Sequence, residues 1–473
     1  MKRVSFHTLG CKVNAYETEA MQQRMEAAGY TVVPFGEVAE VCIINTCTVT
    51  NIADRKSRQM LHKAKKSNPG AVVVAVGCYV ESGLENCKQD EAIDIIVGNN
   101  RKADIVEIIE GYFAEKQEAD SECAKEISAD TEEVSELKTK VNAENIFMTD
   151  MSKTAEYEDM PLVRVENHTR AYIKIQDGCN QFCTYCIIPY TRGRIRSRSI
   201  ESIIGEVTTL AKEGYKEIVL TGIHLSSYGK DLTDCEDNLL TVVKRLSEID
   251  GIERIRLGSL EPRIITEEFM QELGKIKEFC PHFHLSLQSG SESVLKRMNR
   301  HYTPGEYYDK CCLIRKIYPN AAITTDVIVG FPGETKEEAK ETFEFLKKVN
   351  FAEMHIFKYS MRSGTKAAKM SCQIPEPIKN ERSAELIKLG EKMTKDFEKR
   401  FIGTVQKVLF EEQVLLEGKM YWSGYTAEYV KVLVPVDNMA DDTAEFTGKL
   451  ADVLLTEIIA GNVLGNILAK ERE

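Results

Sequence analysis

Short β-rich runs alternate with amphipathic segments along most of the chain, and this alternation limits the possible fold more than any other sequence feature. In the first part the β-rich runs are residues 3–9, 41–45, 71–76 and 94–97. The amphipathic segment 15–28 has Asn14 as its predicted N-cap, Glu17 completing a capping box, and Gly29 as its stop. Strands that alternate with helices form open parallel sheets, so residues 1–112 are predicted to be an α/β domain.

A second series of six β/α units begins near residue 171. Its strand candidates are residues 171–175, 217–220, 254–257, 282–287, 323–329 and 354–359. Six such units predict a (β/α)6-type complete or partial barrel over residues 161–401, with its chemistry at the carboxyl ends of the strands. In residues 402–473 the pattern changes to alternating strands, which predict a small all-β module with strands at 405–410, 429–434, 449–456 and 466–468.

The net charge of −12 is concentrated in one segment of the 473-residue chain. Between Tyr112 and Pro161 there are fourteen acidic residues against five lysines, so residues 113–160 are predicted to be an acidic, solvated linker, with a possible helical piece around 132–141. No apolar run approaches the roughly 18–20 residues of a membrane span. The first residues lack the long apolar segment of a signal peptide, so a cytoplasmic protein is expected.

Three of the fourteen cysteines, Cys179, Cys183 and Cys186, lie in a polar loop, CNQFCTYC, directly after the first predicted barrel strand. Thiolates are the ligands of iron–sulfur clusters, and this spacing lets one loop present three sulfurs to one compact object. A four-iron cluster then keeps one iron open for a chelating molecule such as S-adenosylmethionine. Gly178 would ease the turn before the loop. The alternative, a structural zinc site, needs a fourth ligand, and the nearest candidate is His224.

A second cysteine trio is spread along the N-terminal domain. Cys11, Cys47 and Cys78 each follow a predicted strand. Because the carboxyl ends of parallel strands share one edge of a sheet, the three thiols are predicted to converge and to hold a second cluster with an open iron. The alternative is three unrelated small residues at strand ends.

Four segments together resemble the methylthiotransferases of the radical S-adenosylmethionine superfamily. They are LGCKVN (residues 9–14), INTCTVT (44–50), VGCYVE (76–81) and DGCNQFCTYCIIPYTRGRIRSR (177–198). The order of parts also matches that family: an N-terminal methylthiotransferase domain, a radical barrel, and a C-terminal TRAM module. The acidic segment 113–160 departs from it, since a short linker is expected there. LGCKVN, TVT and the NQ of the radical loop resemble the threonylcarbamoyladenosine tRNA branch.

The resemblance implies two [4Fe-4S] clusters and S-adenosylmethionine as cofactors. Cys179, Cys183 and Cys186 would hold the cluster that cleaves the cofactor to a 5′-deoxyadenosyl radical, and Cys11, Cys47 and Cys78 would hold an auxiliary cluster that carries sulfur. Both clusters would have to face one cavity around the target base. Strand-end residues that fit as cofactor contacts, or otherwise as loop-shaping residues, are Thr221, Gly222, Gln288, Ser289, Gly330, Glu334 and Arg362.

Two basic runs are predicted to neutralise tRNA phosphates, although a solvated face explains the second equally well. The first consists of Arg192, Arg194, Arg196 and Arg198; the second of Arg55, Lys56, Arg58, Lys63, Lys65 and Lys66. The TRAM module would add the cations Arg400 and Lys431 and the aromatic side chains Tyr421, Trp422 and Tyr425 for contact with RNA.

The predicted function is conversion of N6-threonylcarbamoyladenosine beside the tRNA anticodon to its 2-methylthio derivative. The sulfur donor and the electron donor are not evident from the sequence, and no membrane partner is expected. Two alternatives stay open: the same chemistry on N6-isopentenyladenosine, or a non-catalytic RNA-binding protein whose cysteines hold structural zinc.

Overall fold

The structure, a computed structural model, describes residues 2–126, 141–165, 169–232, 237–436, 446–459 and 461–468. The chain divides into two compact units. The N-terminal unit consists of residues 1–162, 177–181 and 186–196, and the barrel unit consists of residues 163–176, 182–185 and 197–473.

The N-terminal unit is built on a six-stranded parallel sheet in the order β2-β1-β3-β4-β5-β6. Its strands are β1 (Arg3–Thr8), β2 (Thr31–Val33), β3 (Val41–Thr46), β4 (Val72–Gly77), β5 (Ile95–Val97) and β6 (Ile146–Phe147). The helices of this part are α1 (Lys12–Ala27), α2 (Asn51–Ser67), α3 (Cys78–Ser82), α4 (Leu84–Lys88) and α5 (Ile105–Glu126). This is the open parallel α/β sheet predicted from the alternation.

The central strands β3 and β4 are buried along their whole length. In β4, Val72, Val74 and Val76 pack into one apolar core, while Val73 and Ala75 pack into a second core on the opposite face. A strand buried on both faces reads as a continuous apolar run, which is how β4 appears in the sequence.

The predicted start of α1 is wrong by three residues. Its N-cap is Cys11 rather than Asn14. The Asn14 side chain instead donates hydrogen bonds to the backbone oxygens of Leu9 and Thr46, because tertiary partners are available at this crowded sheet edge. The predicted stop is confirmed, since the helix ends at Ala27 and Gly29 follows with a φ of 88°.

The N-terminal unit extends past residue 112, the boundary predicted from the sequence. Helix α5 continues to Glu126, and β6 pairs with β5 although it lies inside the predicted linker. The strand was missed because it offers only two apolar residues within an acidic segment. Residues 127–140, which include most of the predicted helical piece, lie outside the described residues.

The barrel unit carries two four-stranded sheets, ordered β10-β9-β7-β8 and β11-β12-β13-β14, in which all six predicted strands are present. The strands are β7 (Arg170–Asp177), β8 (Arg196–Ser197), β9 (Glu217–Gly222), β10 (Arg254–Leu257), β11 (Ser259–Leu260), β12 (His282–Leu285), β13 (Ala322–Val329) and β14 (Glu353–Lys358). The helices along residues 188–398 are α6 (Ile188–Thr191), α7 (Ile200–Lys212), α8 (Leu239–Ser247), α9 (Glu267–Leu273), α10 (Glu292–Arg297), α11 (Pro304–Ile317), α12 (Lys336–Val349) and α13 (Glu376–Glu398). The architecture is a partial barrel.

The C-terminal part of this unit is a closed five-stranded barrel in the order β15-β16-β17-β19-β18. Its strands are β15 (Val405–Leu416), β16 (Lys419–Tyr425), β17 (Lys431–Pro435), β18 (Leu450–Ile459) and β19 (Asn462–Ile467). The all-β prediction is confirmed, although β16 was missed. None of the described helices is both long enough and apolar enough to cross a membrane.

Candidate active site

The structure brings Cys11, Cys47 and Cys78 to one edge of the N-terminal sheet. Cys11 precedes α1, Cys47 follows β3, and Cys78 opens α3 directly after β4. Since β1, β3 and β4 are adjacent and parallel, their carboxyl ends share this edge. The predicted convergence is therefore seen in the backbone, and the three residues form the auxiliary trio.

Two glycines make room for the auxiliary trio. Gly10 has a φ of 107°, and a Cβ placed on it would lie 2.9 Å from Cys47 Cβ and 3.0 Å from Cys47 Sγ. Gly77 has a φ of 95°, and its Cβ would lie 2.6 Å from Asn45 Oδ1. A side chain at either position would strain the backbone and push neighbouring atoms apart.

The spacing of the auxiliary thiols does not suit a single zinc ion. Sulfur ligands of one tetrahedral zinc lie about 3.8 Å apart. Within the part of the chain that the structure describes, the three Sγ atoms do not all lie within 4.8 Å of one another. At least one pair of these sulfur atoms is therefore farther apart than the ligands of one zinc ion.

The auxiliary thiols influence one another electrostatically. Burial raises the pKa of Cys47 to about 11, and the neighbouring Cys78 and Cys11 thiols contribute to the rise. Crowding by protein atoms also raises the pKa of the Cys11 thiol, although the residue as a whole is exposed. The Arg192 guanidinium opposes both shifts, so it is the cation that favours thiolates here.

Arg192 is fully buried within the N-terminal unit and contacts the auxiliary trio directly. Its Nε donates a hydrogen bond to Cys78 Sγ at 3.3 Å. Its two terminal nitrogens donate to Asn14 Oδ1 at 2.7 Å, to both carboxylate oxygens of Glu17, and to Asp177. The guanidinium is therefore saturated by protein groups, two of them carboxylates that offset its charge.

A second buried cation completes this network. Lys102 pairs with Glu17 and donates to Asn99 Oδ1 at 2.9 Å. Asn99 Nδ2 in turn donates to Thr191 O at 2.8 Å and lies 3.8 Å from Cys78 Sγ. Glu17, predicted to complete a capping box, instead links Lys102 with Arg192.

The predicted phosphate-binding role of the arginine run is wrong for three of its four members. Arg192, Arg196 and Arg198 are each no more than 1 % exposed. Arg192 and Arg196 pair with Asp177, and Arg198 pairs with Glu206. Buried arginines with carboxylate partners cannot reach a phosphate; only Arg194 is exposed. The arginine run by itself does not reveal this outcome, because the outcome depends on the carboxylates of Asp177 and Glu206 outside the run.

Within the radical loop, Cys179 to Cys186, residues 179–181 and 186 belong to the N-terminal unit and residues 182–185 to the barrel unit. In the N-terminal unit, Cys179 N donates to Gly193 O at 3.0 Å, and a Cβ on Gly178 would lie only 1.8 Å from Arg194 O. Gly178 also has a φ of 71°, so the predicted tight turn is confirmed.

In the barrel unit, residues 182–185 of the radical loop are anchored near α10. Thr184 N donates to Met298 O at 3.0 Å, and the Thr184 hydroxyl donates to Arg297 O. Arg300 Nη1 donates to Cys183 Sγ at 3.4 Å. Arg300 was not singled out from the sequence, because it follows Cys183 by 117 residues.

The predicted cofactor contacts fall into two groups. Ser289 and Glu334 already have partners within the protein: the Ser289 hydroxyl contacts Thr342, and Glu334 accepts from Gly330 N and pairs with Arg382. These contacts hold the loops after β12 and β13, and the role of both residues in cofactor contact stays a prediction. Thr221 and Gly222 end β9, while Gln288 follows β12 with a φ of 73° and Arg362 follows β14. These four stay predicted contacts, as does Gly330, which has a φ of 71°.

His224 also lies just beyond the carboxyl end of β9. Its Nδ1 shares a hydrogen bond of 2.6 Å with the Ser227 hydroxyl, while its buried Nε2 has no hydrogen-bond partner among the described residues. Burial and the cation of Arg300 lower the pKa of His224 to about 4, so the ring is neutral near pH 7. The ring therefore presents a neutral, buried nitrogen just beyond the end of β9.

Two of the predicted RNA-stacking residues in the C-terminal barrel have structural roles. Trp422 is 3 % exposed and packs against Phe446 in the core. Tyr425 stacks on Tyr429 and under Arg170. The Trp422 ring is buried, so its assignment to RNA was wrong, whereas Tyr425 is half-buried and its contact with RNA stays a prediction.

The second basic run lies on α2, which begins four residues after Cys47. Lys65 pairs with Asp94. The remaining cations are exposed and form what we call the basic face: Arg55, Lys56, Arg58, Lys63 and Lys66. Val49 and Ile52, which are 52 % and 57 % exposed, lie between this face and Cys47 in sequence.

Residues 173–346 match the radical SAM superfamily, and residues 3–98 match a family described as uncharacterized protein family UPF0004. The chain is 39 % identical over 458 residues to the threonylcarbamoyladenosine tRNA methylthiotransferase MtaB of Bacillus subtilis, covering 96 % of this chain and 93 % of the relative. It is 35 % identical over 412 residues to the tRNA-2-methylthio-N(6)-dimethylallyladenosine synthase of Clostridium botulinum, covering 85 % of each.

Among solved structures, the chain is similar to the radical S-adenosylmethionine methyltransferase TsrM from Kitasatospora setae. The TM-score is 0.52 at 15 % identity, covering 76 % of this chain and 73 % of that one. At this identity the likeness shows a shared fold.

Proposed function

The chain belongs to the radical S-adenosylmethionine methylthiotransferase family, and from this membership we propose that it attaches a methylthio group to N6-threonylcarbamoyladenosine in tRNA. The observation that carries the proposal is the gathering of Cys11, Cys47 and Cys78 at one sheet edge. A second trio on the radical loop serves a separate cluster, so the chain has the six thiols that two clusters require.

Each cysteine trio fits a [4Fe-4S] cluster that keeps one iron free of protein ligands. When bound, the cluster on Cys179, Cys183 and Cys186 supplies, with S-adenosylmethionine, radical hydrogen abstraction, and the auxiliary cluster supplies sulfur. All six cysteines of the two trios are free thiols, so none of them is consumed by a disulfide.

The protein's own residues position and shield these groups. Arg192 donates a hydrogen bond to Cys78 Sγ and Arg300 donates one to Cys183 Sγ, so each guanidinium holds one cysteine side chain in place. Thr221, Gln288 and Arg362, at strand ends of the barrel unit, are the side chains we assign to the S-adenosylmethionine contacts.

The basic face of α2 is the surface that we assign to the tRNA backbone. Five exposed cations on one helix can neutralise several phosphates although the whole chain is acidic. The target adenosine would lie in the anticodon loop, where unpaired bases can be splayed out at little cost. This substrate agrees with the cytoplasmic location expected from the sequence.

Cysteine variants of the anaerobically reconstituted protein test the two-cluster assignment. Cys179→Ala should abolish cleavage of S-adenosylmethionine, whereas Cys47→Ala should leave cleavage measurable and stop methylthiolation. Cys312→Ala, which removes an exposed thiol of α11, serves as the control and should do neither. Methylthiolated tRNA made by Cys47→Ala would refute the auxiliary site.

The substrate and the zinc alternative need separate measurements. Nucleoside mass spectrometry of tRNA from a deletion strain should show loss of 2-methylthio-N6-threonylcarbamoyladenosine; loss of the isopentenyl derivative instead would favour the other branch. The reconstituted protein should be brown and hold roughly eight irons, four per cluster. A colourless zinc protein would exclude the radical chemistry.

A further inference from the structure

Two histidines and one aspartate, none of them a member of either cysteine trio, come together within the barrel unit. His284 lies on β12, Asp326 on β13 and His355 on β14. One potential ligand atom from each lies within 4.8 Å of the other two, and in the described residues this is the only such set.

The strand register explains why these side chains meet. Asp326 is paired with His355 across β13 and β14, while His284 is paired with Thr324, two residues before Asp326. Because side chains two residues apart on a strand share a face, all three point to the same side of the sheet. The flanking Phe283 and Leu285 are fully buried on the opposite face.

Neighbouring groups already orient the first histidine. His284 Nδ1 shares a hydrogen bond of 3.0 Å with the Thr324 hydroxyl, and its Nε2 lies 3.2 Å from Asp326 Oδ2. Hydrogen bonding of one ring nitrogen to a second group is how metal-bound histidines are held. The separation of 3.2 Å also matches the distance of about 3.3 Å between two ligands of a tetrahedral ion with bonds of about 2.0 Å.

The second histidine, His355, is the most exposed member of the set. The His355 ring lies 5.7 Å from the His284 ring, with an angle of 26° between their planes. The His284, Asp326 and His355 side chains are 13 %, 28 % and 46 % exposed, so access increases toward His355. An ion held here would keep at least one position free for water or another ligand.

We propose that His284, Asp326 and His355 form a binding site for one divalent first-row transition-metal ion such as Zn²⁺. Two imidazole nitrogens and one carboxylate oxygen are the ligands that such ions accept, whereas Mg²⁺ and Ca²⁺ prefer oxygen alone. The proposal does not depend on the proposed function, because it uses none of the six cysteines.

The backbone of Asp326 is hydrogen-bonded to Gln288, which is a predicted cofactor contact. Gln288 N donates to Asp326 O at 2.9 Å, so the metal-binding strand and the strand-end residue Gln288 are directly linked. An ion with an open coordination position would also be able to bind an oxygen ligand and act as a Lewis acid.

Zinc binding to the reconstituted full-length protein tests the proposal. After anaerobic equilibrium dialysis against Zn²⁺, zinc and iron are measured together, so that zinc entering a cluster site appears as lost iron. The wild-type protein should hold one zinc per chain with its iron unchanged. His355→Gln and Asp326→Asn should each weaken binding at least tenfold.

His62→Ala is the matched control, because His62 lies in an exposed pair with Asp90 that offers only two ligands. It should keep the wild-type affinity. His355→Gln alters the most exposed ligand, so failure to fold does not explain a loss of zinc there. Equal zinc retention by the wild type and both site variants, or zinc uptake matched by iron loss, would overturn the proposal.

Discussion

Arg192 Nε donates a hydrogen bond of 3.3 Å to Cys78 Sγ, although 114 residues separate them in sequence. The next residue, Gly193, accepts a hydrogen bond from Cys179 N. Two consecutive residues therefore contact one cysteine of each trio. Arg192–Gly193 is a short, buried connection between the auxiliary site and the beginning of the radical loop.

Replacing Arg192 by Gln should lower the free energy of unfolding by about 3–5 kcal/mol, because Glu17 and Asp177 would keep buried charges without their main partner. Chemical denaturation monitored by circular dichroism measures the change. Arg194→Gln, two residues away and exposed, should alter stability by no more than about 0.5 kcal/mol. Similar effects of the two substitutions would mean that the buried network does not stabilise the fold.

Gly10→Ala should prevent binding of the auxiliary cluster. The added methyl group would lie 2.9 Å from Cys47 Cβ at a φ of 107°, so Cys11 and Cys47 could not keep their present approach. Iron analysis after reconstitution should fall from roughly eight to roughly four per chain. Gly205→Ala in α7, where the new Cβ meets no atom within 4 Å, should leave iron unchanged and can stabilise the helix by up to about 1 kcal/mol.

Reversing charge on the basic face of α2 should weaken tRNA binding. In the double variant Arg55→Glu/Lys56→Glu the logarithm of affinity should depend less steeply on the logarithm of salt, by about one unit per lost phosphate contact. Filter binding at several salt concentrations measures the slope. Lys388→Glu/Lys392→Glu on α13 changes the net charge equally, and a matching loss there would show that only overall charge matters.

Glu217 should make the barrel unit sensitive to acid. Burial alone would raise its pKa, but Arg256 and Arg254 lower it overall below the ordinary value of 4.5. A lowered pKa means that the stabilisation is present above about pH 4.5 and is lost as the pH falls below it. Glu217→Gln should lower stability at pH 7 by about 3–5 kcal/mol and flatten its dependence on pH in the acid range.

The single tryptophan provides the measurement for the Glu217 variant. Trp422 is buried in the C-terminal barrel, whose backbone accepts hydrogen bonds from Arg254 at Tyr425 O and from Arg256 at Ala427 O. Unfolding followed by its fluorescence therefore reports on the region that Glu217 supports. An unchanged acid transition in Glu217→Gln would show that this carboxylate is not the titrating group.

Local pattern was sufficient to predict most strands and the positions of the six cysteines. Strand periodicity is a property of neighbouring residues, so the run VVVAVG of β4 and the thiol after it could be placed without a structure. Parallel topology then places Cys11, Cys47 and Cys78 at one edge, because a parallel sheet collects the carboxyl ends of its strands. Strands β2 and β6 were not predicted, because two or three residues are too few to show the alternation of apolar and polar side chains.

Only the tertiary structure determines which polar side chains are exposed and unpaired enough to contact a ligand or RNA. Arg192 and Arg194 are equivalent in sequence, yet the first is buried among carboxylates and the second is exposed. Trp422 likewise packs against Phe446 in the core, and Glu334 pairs with Arg382, two contacts that the local sequence does not predict. Whether a charged side chain is buried depends on residues distant in the chain, because burying a charge is tolerated only where another element supplies an oppositely charged partner. A local sequence pattern does not show whether such a partner is present.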